Sequence, residues 1–529
     1  MPDADVIVVG TGMGGATLGF ALARKGKRVL FLEKGLDRFS NAQVIVGDFA
    51  ENHLRNVPPT SDERRECFRN AGRYYQEIAD LTRRGRTFIP FIGTGTGGSS
   101  GLYGAGLSRF SRDDFSPRAN FPDEPNASLP DRWPISYDDL APYYAEAERM
   151  FQVAGEADPF LPDTDFSHYL APPPLSRAAE EVFKYLKTQS LKAYRLPIAC
   201  EPNVTCAGCT GFLCPRSCKK DAGLTCLKPA VSDYGARLIA DCEVLRLVTN
   251  KRRVTHIEAR HRGQPVTYSA PTIVLAAGGL ETPRILLNSH TEEHRYGLAN
   301  SSGLVGRYLM RHYVDVYLLE PKVAPDWFGN PKEIAFNDFC FRQASRLGIV
   351  HSAGNPVDPN VVLTEIRIIM SKMPGGRALS RLLQPILNQG IRKKLRDKLF
   401  MFSIMEDLPY ASNFVRPNPS RPSELQLHYE IHQHERRRIA AFRTALLKLF
   451  KPYKPTLLKR AEANDMLAHV CGTCRMGDDP ATSVVNAFNR AHDLDNLYVV
   501  DASFFPSSSA AHPSLTIAAN ALRVARHVA

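Results

Sequence analysis

The chain has 529 residues, 43% hydrophobic and 23% charged, with a formal net charge of +12. This composition excludes a disordered or fibrous chain, and the length allows two or three domains. The basic balance suits an anionic surface or an acidic partner; no nucleic-acid-binding module accompanies it, so no nucleic acid partner is expected.

The N-terminus, "MPDADVIVVG", enters an apolar strand by Val6 without a charged-then-apolar leader. No apolar run approaches the roughly 18 residues of a membrane span. A cytoplasmic location is expected, with peripheral membrane contact left open. The strand Val6 to Val9 runs into Gly10-x-Gly12-x-x-Gly15, then "ATLGFALARKG" as a helix, then "RVLFLE" as a strand ending on Glu33. This order is a dinucleotide-binding βαβ fingerprint. The glycines allow close backbone approach, the helix N-terminus faces a pyrophosphate, and the acid takes ribose hydroxyls. It fits FAD or NAD, and its place at the start of a long chain points to FAD.

A glycine-rich stretch, "GTGTGGSSGLYGAGLSRF", spans 93–110, and "WPISYDDLAPYYAEAE" spans 133–148. The chain holds 11 cysteines. Cys206, Cys209, Cys214 and Cys218 are spaced C-x2-C-x4-C-x3-C within 13 residues. Short loop spacings let thiolates converge on iron or zinc; thiols without metal and disulfides are the other readings. Short alternating segments over 243–270 predict a β meander, followed by the apolar strand of "TIVLAAGGLETPRILLNS" at 272–289. From Lys372 to Lys398 basic residues interleave with Leu and Ile. "ERRRIAAFRTALLKLFK" places Ile439, Phe442, Leu446 and Leu449 at helical spacing. Both are read as amphipathic helices with solvated basic faces, and the first also as a dock for a membrane surface or an acidic partner. Near the C-terminus come "HVCGTCRMG", from His469, and "LYVVDASFFPSSSAAHPSLTIAANALRVARHV".

These stretches together resemble the glucose–methanol–choline (GMC) family of FAD-dependent oxidoreductases, from residue 6 to 528. The resemblance implies an α/β Rossmann-like FAD-binding domain and an α+β substrate domain built on an antiparallel sheet. The expected FAD-binding parts are 1–150, 219–315 and 465–529. The expected substrate domain is 151–218 and 316–464, with a cysteine-rich loop at 200–226. Implied cofactor contacts are Gly10, Gly12, Gly14, Gly15, Glu33, Gly97, Gly98, Ser99, Val244, Ala277, Asp501, Ala502, Pro513 and Thr516. Gly101 stands where some members attach FAD through a histidine, so non-covalent FAD is expected. Tyr103 departs from the family's usual Asn or His.

The implied reaction is oxidation of a small-molecule alcohol. His469 takes the hydroxyl proton, His512 holds the oxygen and shares the proton, and hydride passes to the flavin. His312, His432 and His527 are read as packed residues, and Cys471 and Cys474 as packing of the flavin pocket. Cys209, Cys214 and Cys218 resemble the iron–sulfur ligands of GMC sugar dehydrogenases that pass electrons to a protein partner. A non-oxygen electron acceptor is therefore expected. The alternatives are a peroxide-producing oxidase and a non-redox or light-driven lyase on the same scaffold.

Overall fold

A computed structural model describes the chain except for residues 1, 57, 84, 202–207, 324–331, 342–345, 354–357, 372, 396, 463–466, 468 and 529. Five parallel strands form the nucleotide-binding sheet. Their spatial order is Leu497–Val499, Thr272–Leu275, Val6–Val9, Val29–Leu32 and Arg237–Ile239. Val6–Val9 and Val29–Leu32 are buried along their whole length, as uninterrupted apolar runs in a parallel sheet should be. Helix Met13–Ala23 is buried on every side, which its small and apolar residues permit. The predicted meander is present as Cys242–Asn250, Arg253–His261 and Gln264–Tyr268, paired antiparallel.

A six-stranded antiparallel sheet makes the second core. Its order is Thr456–Lys459, Tyr313–Leu319, Leu399–Met405, Ile349–Ser352, Ile334–Phe336 and Tyr194–Arg195. Tyr313, Tyr317, Phe336, Val350, Leu399 and Met401 are among the side chains it buries. Helix Gln433–Leu449 buries Ile439, Phe442 and Leu446 against the same core. Its basic face is only partly solvated, contrary to expectation. Arg438 is buried beside Glu406 and Glu435, and Arg443 pairs with Asp315 and Glu462. Glu406, Asp315 and Glu462 come from other parts of the chain, so local periodicity could not show them; Glu435 is one turn back on the same helix.

Helix Tyr137–Met150 opens with the Ser136/Asp139 capping box and packs against the C-terminal helix Pro513–Val524. Tyr144 Oη and Thr516 Oγ1 meet across that contact at 2.8 Å. Glu148 of the same helix accepts two bonds from Arg109, one from Tyr169 and a contact from His168.

Candidate active site

The fingerprint glycines lie where the backbone crowds. Gly10 has φ +96°, and a Cβ there would stand 2.4 Å from the Ala276 carbonyl oxygen. The 93–101 loop folds over this turn so closely that a Cβ on Gly98 would stand 2.9 Å from Gly12 Cα. Gly97 and Ser99 flank that approach, and Gly14 and Gly15 begin the helix.

Two acids expected at the cofactor brace these loops. Glu33 accepts from the Thr11 amide and hydroxyl and from the amides of Gly35 and Gly95. Asp501 accepts from the Gly278 amide, the Thr282 hydroxyl and the Ser503 amide. Ala277 donates its amide to Thr282, Ala502 follows Asp501 into a 3-10 turn, and the Val244 carbonyl accepts from Arg284. The Thr516 hydroxyl is engaged by Tyr144 rather than pointing to an open site.

His469 and His512 are brought together, their ring centroids 6.2 Å apart. His512 caps helix Pro513–Val524, with Pro513 in its first turn. His469 sits at φ +61°, in the left-handed region, where a non-glycine residue costs about 1–3 kcal/mol and persists only when its surroundings hold it. The Met310–Cys471 backbone bridge two residues on supplies part of that constraint.

Three further basic residues join the pair, all from in or beside strands of the six-stranded sheet. His312 precedes its strand Tyr313–Leu319, Lys332 precedes Ile334–Phe336, and His351 lies in Ile349–Ser352. His312 Nδ1 is 2.8 Å from His469 Nδ1, and Lys332 Nζ is 3.0 Å from His512 Nε2. The His351 and His512 rings are 5.1 Å apart. His312 is thus packed, as expected, but it also orients the candidate base. Lys332 and His351 carried no motif; each lies in a stretch that reads only as the approach to, or interior of, an apolar strand.

A backbone hydrogen bond at Ser509 favours the protonated form of His312. The tautomer in which His469 Nδ1 donates to His312 Nδ1 leaves His469 Nε2 with the lone pair a base requires. Burial holds His312 down to about 4 and pushes His351, His469 and His512 well below the ordinary histidine value. Burial alone brings Lys332 to about 7.

The cysteine-rich loop forms a wall near this cluster. Thr210 Oγ1 and Lys332 Nζ lie at the same distance, 3.3 Å, from the position of a Cβ on Gly104. The buried Lys219 pins the loop by donating to the carbonyls of Cys209, Phe212 and Tyr103. Tyr103 in turn donates its hydroxyl to the Lys220 carbonyl. Cys214 Sγ is 3.5 Å from Cys218 Sγ, and a hydrogen bond with Cys209 brings the Cys214 thiol down to about 4. No disulfide joins the described cysteines, and Cys206 lies outside the described residues. Among the described residues no group of three or more His, Cys, Asp or Glu is arranged to hold a metal ion. The iron–sulfur and zinc readings find no support there.

Comparison with known proteins decides the family. GMC oxidoreductase profiles match residues 195–314 and 409–521. The chain is 26% identical to 2-methyl-1,2-propanediol dehydrogenase of Mycolicibacterium austroafricanum, over 99% of this chain and 95% of that protein. It is 28% identical to paromamine 6'-oxidase of Streptomyces fradiae, over 99% and 91%.

The chain belongs to the GMC oxidoreductase family.

A further relative is the fructose dehydrogenase large subunit of Gluconobacter japonicus, 25% identical over 99% of this chain and 97% of that protein. Pyridoxine 4-oxidase from Mesorbium loti superposes with a TM-score of 0.65 at 20% identity, covering 99% of each chain. That likeness bears on the fold, and it agrees with the expected α/β and α+β architecture. Membership of the GMC family makes the chain an oxidoreductase and implies bound FAD. The Gly10–Gly15 turn fits that cofactor: it opens helix Met13–Ala23, whose N-terminal amides suit a pyrophosphate, and Gly10 and Gly98 let the surrounding backbone pack where a Cβ would collide with it.

Proposed function

We propose that this GMC oxidoreductase oxidises a small-molecule alcohol with His469 as base and His512 as its partner. The observation that carries this reading is the imidazole pair, His512 buried and His469 half-buried, with His469 held against His312 and His512 at the start of the C-terminal helix. The names of relatives that oxidise a diol, an aminoglycoside and a sugar support the same class. Bound FAD supplies the hydride acceptor for the carbinol carbon. The chain's residues do the proton chemistry. His469 Nε2 takes the hydroxyl proton, and His312 stabilises the charged ring through Nδ1. His512 presents Nδ1, which has no hydrogen-bond partner among the described residues, while Lys332 holds its Nε2.

We assign the FAD-binding role to 1–150, 219–315 and 465–529 and substrate binding to 151–218 and 316–464, with FAD held non-covalently. Anaerobic loss of the oxidised flavin's visible absorbance on adding an alcohol tests the function; a broad alcohol panel without effect would overturn it. Because burial keeps His469 well below the ordinary value of 6.5, the base stays neutral near pH 7. The acid limb of kcat/KM is expected below pH 6.5, where falling pH protonates and inactivates the base. A limb centred at or above 6.5 would contradict the assignment.

The electrons are proposed to pass to an acceptor other than oxygen at an anionic membrane surface. Helices Pro359–Met370 and Gly376–Leu395 pack together and expose Ile369, Met373, Leu382 and Ile386, the last two at 76% and 69%. Gly376–Leu395 carries exposed Arg377, Arg381, Arg392, Lys393 and Lys394 and no acidic residue. Exposed apolar side chains edged by cations match an anionic lipid interface. Among the described residues no helix is long and apolar enough to cross a membrane. Flotation with phosphatidylglycerol vesicles but not phosphatidylcholine vesicles is expected, with loss in L382E/I386E at unchanged activity in solution. Equal recovery of both proteins, or binding to a purified acidic redox protein without lipid, would point away from the membrane.

A further inference from the structure

His512 is met on one side of its ring by an amine. Lys332 Nζ lies 3.0 Å from His512 Nε2, and both residues are buried. Among the described residues no carboxylate pairs with Lys332, and its hydrogen-bond partner is His512. Two glycines leave room for this contact. A Cβ on Gly106 would stand 3.0 Å from His512 Nε2 and 3.1 Å from Lys332 Nζ, and one on Gly104 would stand 2.6 Å from Lys332 Cε. The contact has a chemical direction. An ammonium has three donors and no lone pair, so an imidazole nitrogen beside it must accept. Burial holds His512 well below the ordinary histidine value, so the ring is neutral with one proton to place. With Nε2 accepting, that proton sits on Nδ1. Two features of Nδ1 agree. It is buried and has no hydrogen-bond partner among the described residues. His512 also occupies the N-cap of helix Pro513–Val524, yet its side chain accepts from none of the first-turn amides, as a nitrogen that carries a proton cannot.

We infer that Lys332 is a positioning residue: by donating to His512 Nε2 it fixes the ring in the Nδ1–H form, so that His512 acts on the substrate as a hydrogen-bond donor. This deepens the proposed alcohol oxidation and rests on it for the group that Nδ1–H meets. As His469 Nε2 removes the hydroxyl proton, negative charge grows on the carbinol oxygen. A donor fixed beforehand stabilises that charge without reorganising. In the other tautomer Nδ1 would set a lone pair against the same oxygen. The proton itself goes to His469, and none passes through Lys332.

The test uses the FAD-loaded enzyme carrying ¹⁵N-labelled histidine, at a pH between the lowered value of His512 and the value of about 7 to which burial brings Lys332. The ring nitrogen signals of His512, assigned by their loss in His512→Asn, report which nitrogen holds the proton. The wild type is expected to show the Nδ1–H form alone. Lys332→Met removes the donor at similar side-chain length and should bring in the Nε2–H form. Lys332→Arg keeps a donor without a lone pair and should restore Nδ1–H. With propane-1,2-diol as the probe, K332M at matched FAD content is expected to lose roughly 10–100-fold in kcat with KM little changed, the pattern of a residue acting through its neighbour on the transition state. K332R should recover most of that loss. A wild-type His512 protonated on Nε2 overturns the inference, and this spectrum decides alone where K332M fails to load FAD. So does a K332M enzyme whose His512 keeps Nδ1–H, or one that matches the wild type in kcat. If the tautomer follows Lys332 but no alcohol reduces the flavin, the positioning role stands and the alcohol-oxidation reading falls.

Discussion

His469→Ala is expected to lower kcat by roughly 10²–10⁴-fold, the usual contribution of a positioned general base, while FAD content stays at the wild-type level. The structure gives this expectation a particular shape. His469 is held in a left-handed backbone conformation, and its Nδ1 contacts His312 Nδ1 at 2.8 Å, so its ring orientation is fixed from both sides. His312→Ala removes the orienting contact without removing the base. It should therefore cost less than His469→Ala and move the acid limb of the pH profile, which a purely structural loss would not do. Stopped-flow reduction of the flavin under anaerobic conditions measures the step directly. Retention of a wild-type reduction rate in His469→Ala would end the base assignment.

Glu148→Ala is expected to destabilise the fold by about 3–5 kcal/mol, the cost of leaving a buried charge without its partner. Arg109 and Glu148 form a two-bond ion pair with side-chain exposures of 3% and 0%, and Glu148 also serves His168 and Tyr169. Removing the carboxylate strands the Arg109 guanidinium in the interior. A double variant, Arg109→Met with Glu148→Leu, removes both charges and should recover most of the loss, since apolar replacements of a buried pair are often near neutral. The urea midpoint of the FAD-loaded enzyme reports both. A double variant no more stable than Glu148→Ala would show that the ion pair itself, and not the uncompensated charge, sets the stability here.

The nucleotide-binding end was legible because its signal is local. A strand, three glycines, a helix and a second strand all fall within residues 6–33, where spacing alone constrains the backbone. The histidine pair was legible through resemblance, since both members sit in short motifs near the C-terminus. Glu33 and Asp501 were recognised as important acids, yet their carboxylates are taken up by amides and hydroxyls of neighbouring turns. Sequence spacing shows where an acid stands and not how many donors compete for it. Lys332, His351 and the orienting part played by His312 were illegible for another reason. They reach the site through pairings within the six-stranded sheet, and no periodicity along the chain encodes which strand ends face the C-terminal segment. The charged face of helix Gln433–Leu449 was misjudged on the same ground, because the acids that receive Arg438 and Arg443 include Glu406 and Asp315, far away in sequence.

The parallel sheet sets a timetable for making the enzyme. Strand Thr272–Leu275 has Val6–Val9 on one side and Leu497–Val499 on the other, so the sheet lacks an outer strand until residues 497–499 have been made. At synthesis rates of roughly 5–20 residues per second, the N-terminal turn waits on the order of half a minute or more for that strand to emerge. A nascent chain thus passes a large part of its time on the ribosome with the edge of Thr272–Leu275 unpaired, and it lacks both candidate active-site histidines until residues 469 and 512 have been made. A product terminated before residue 469 lacks the candidate base, its partner and the outer strand of its nucleotide sheet together.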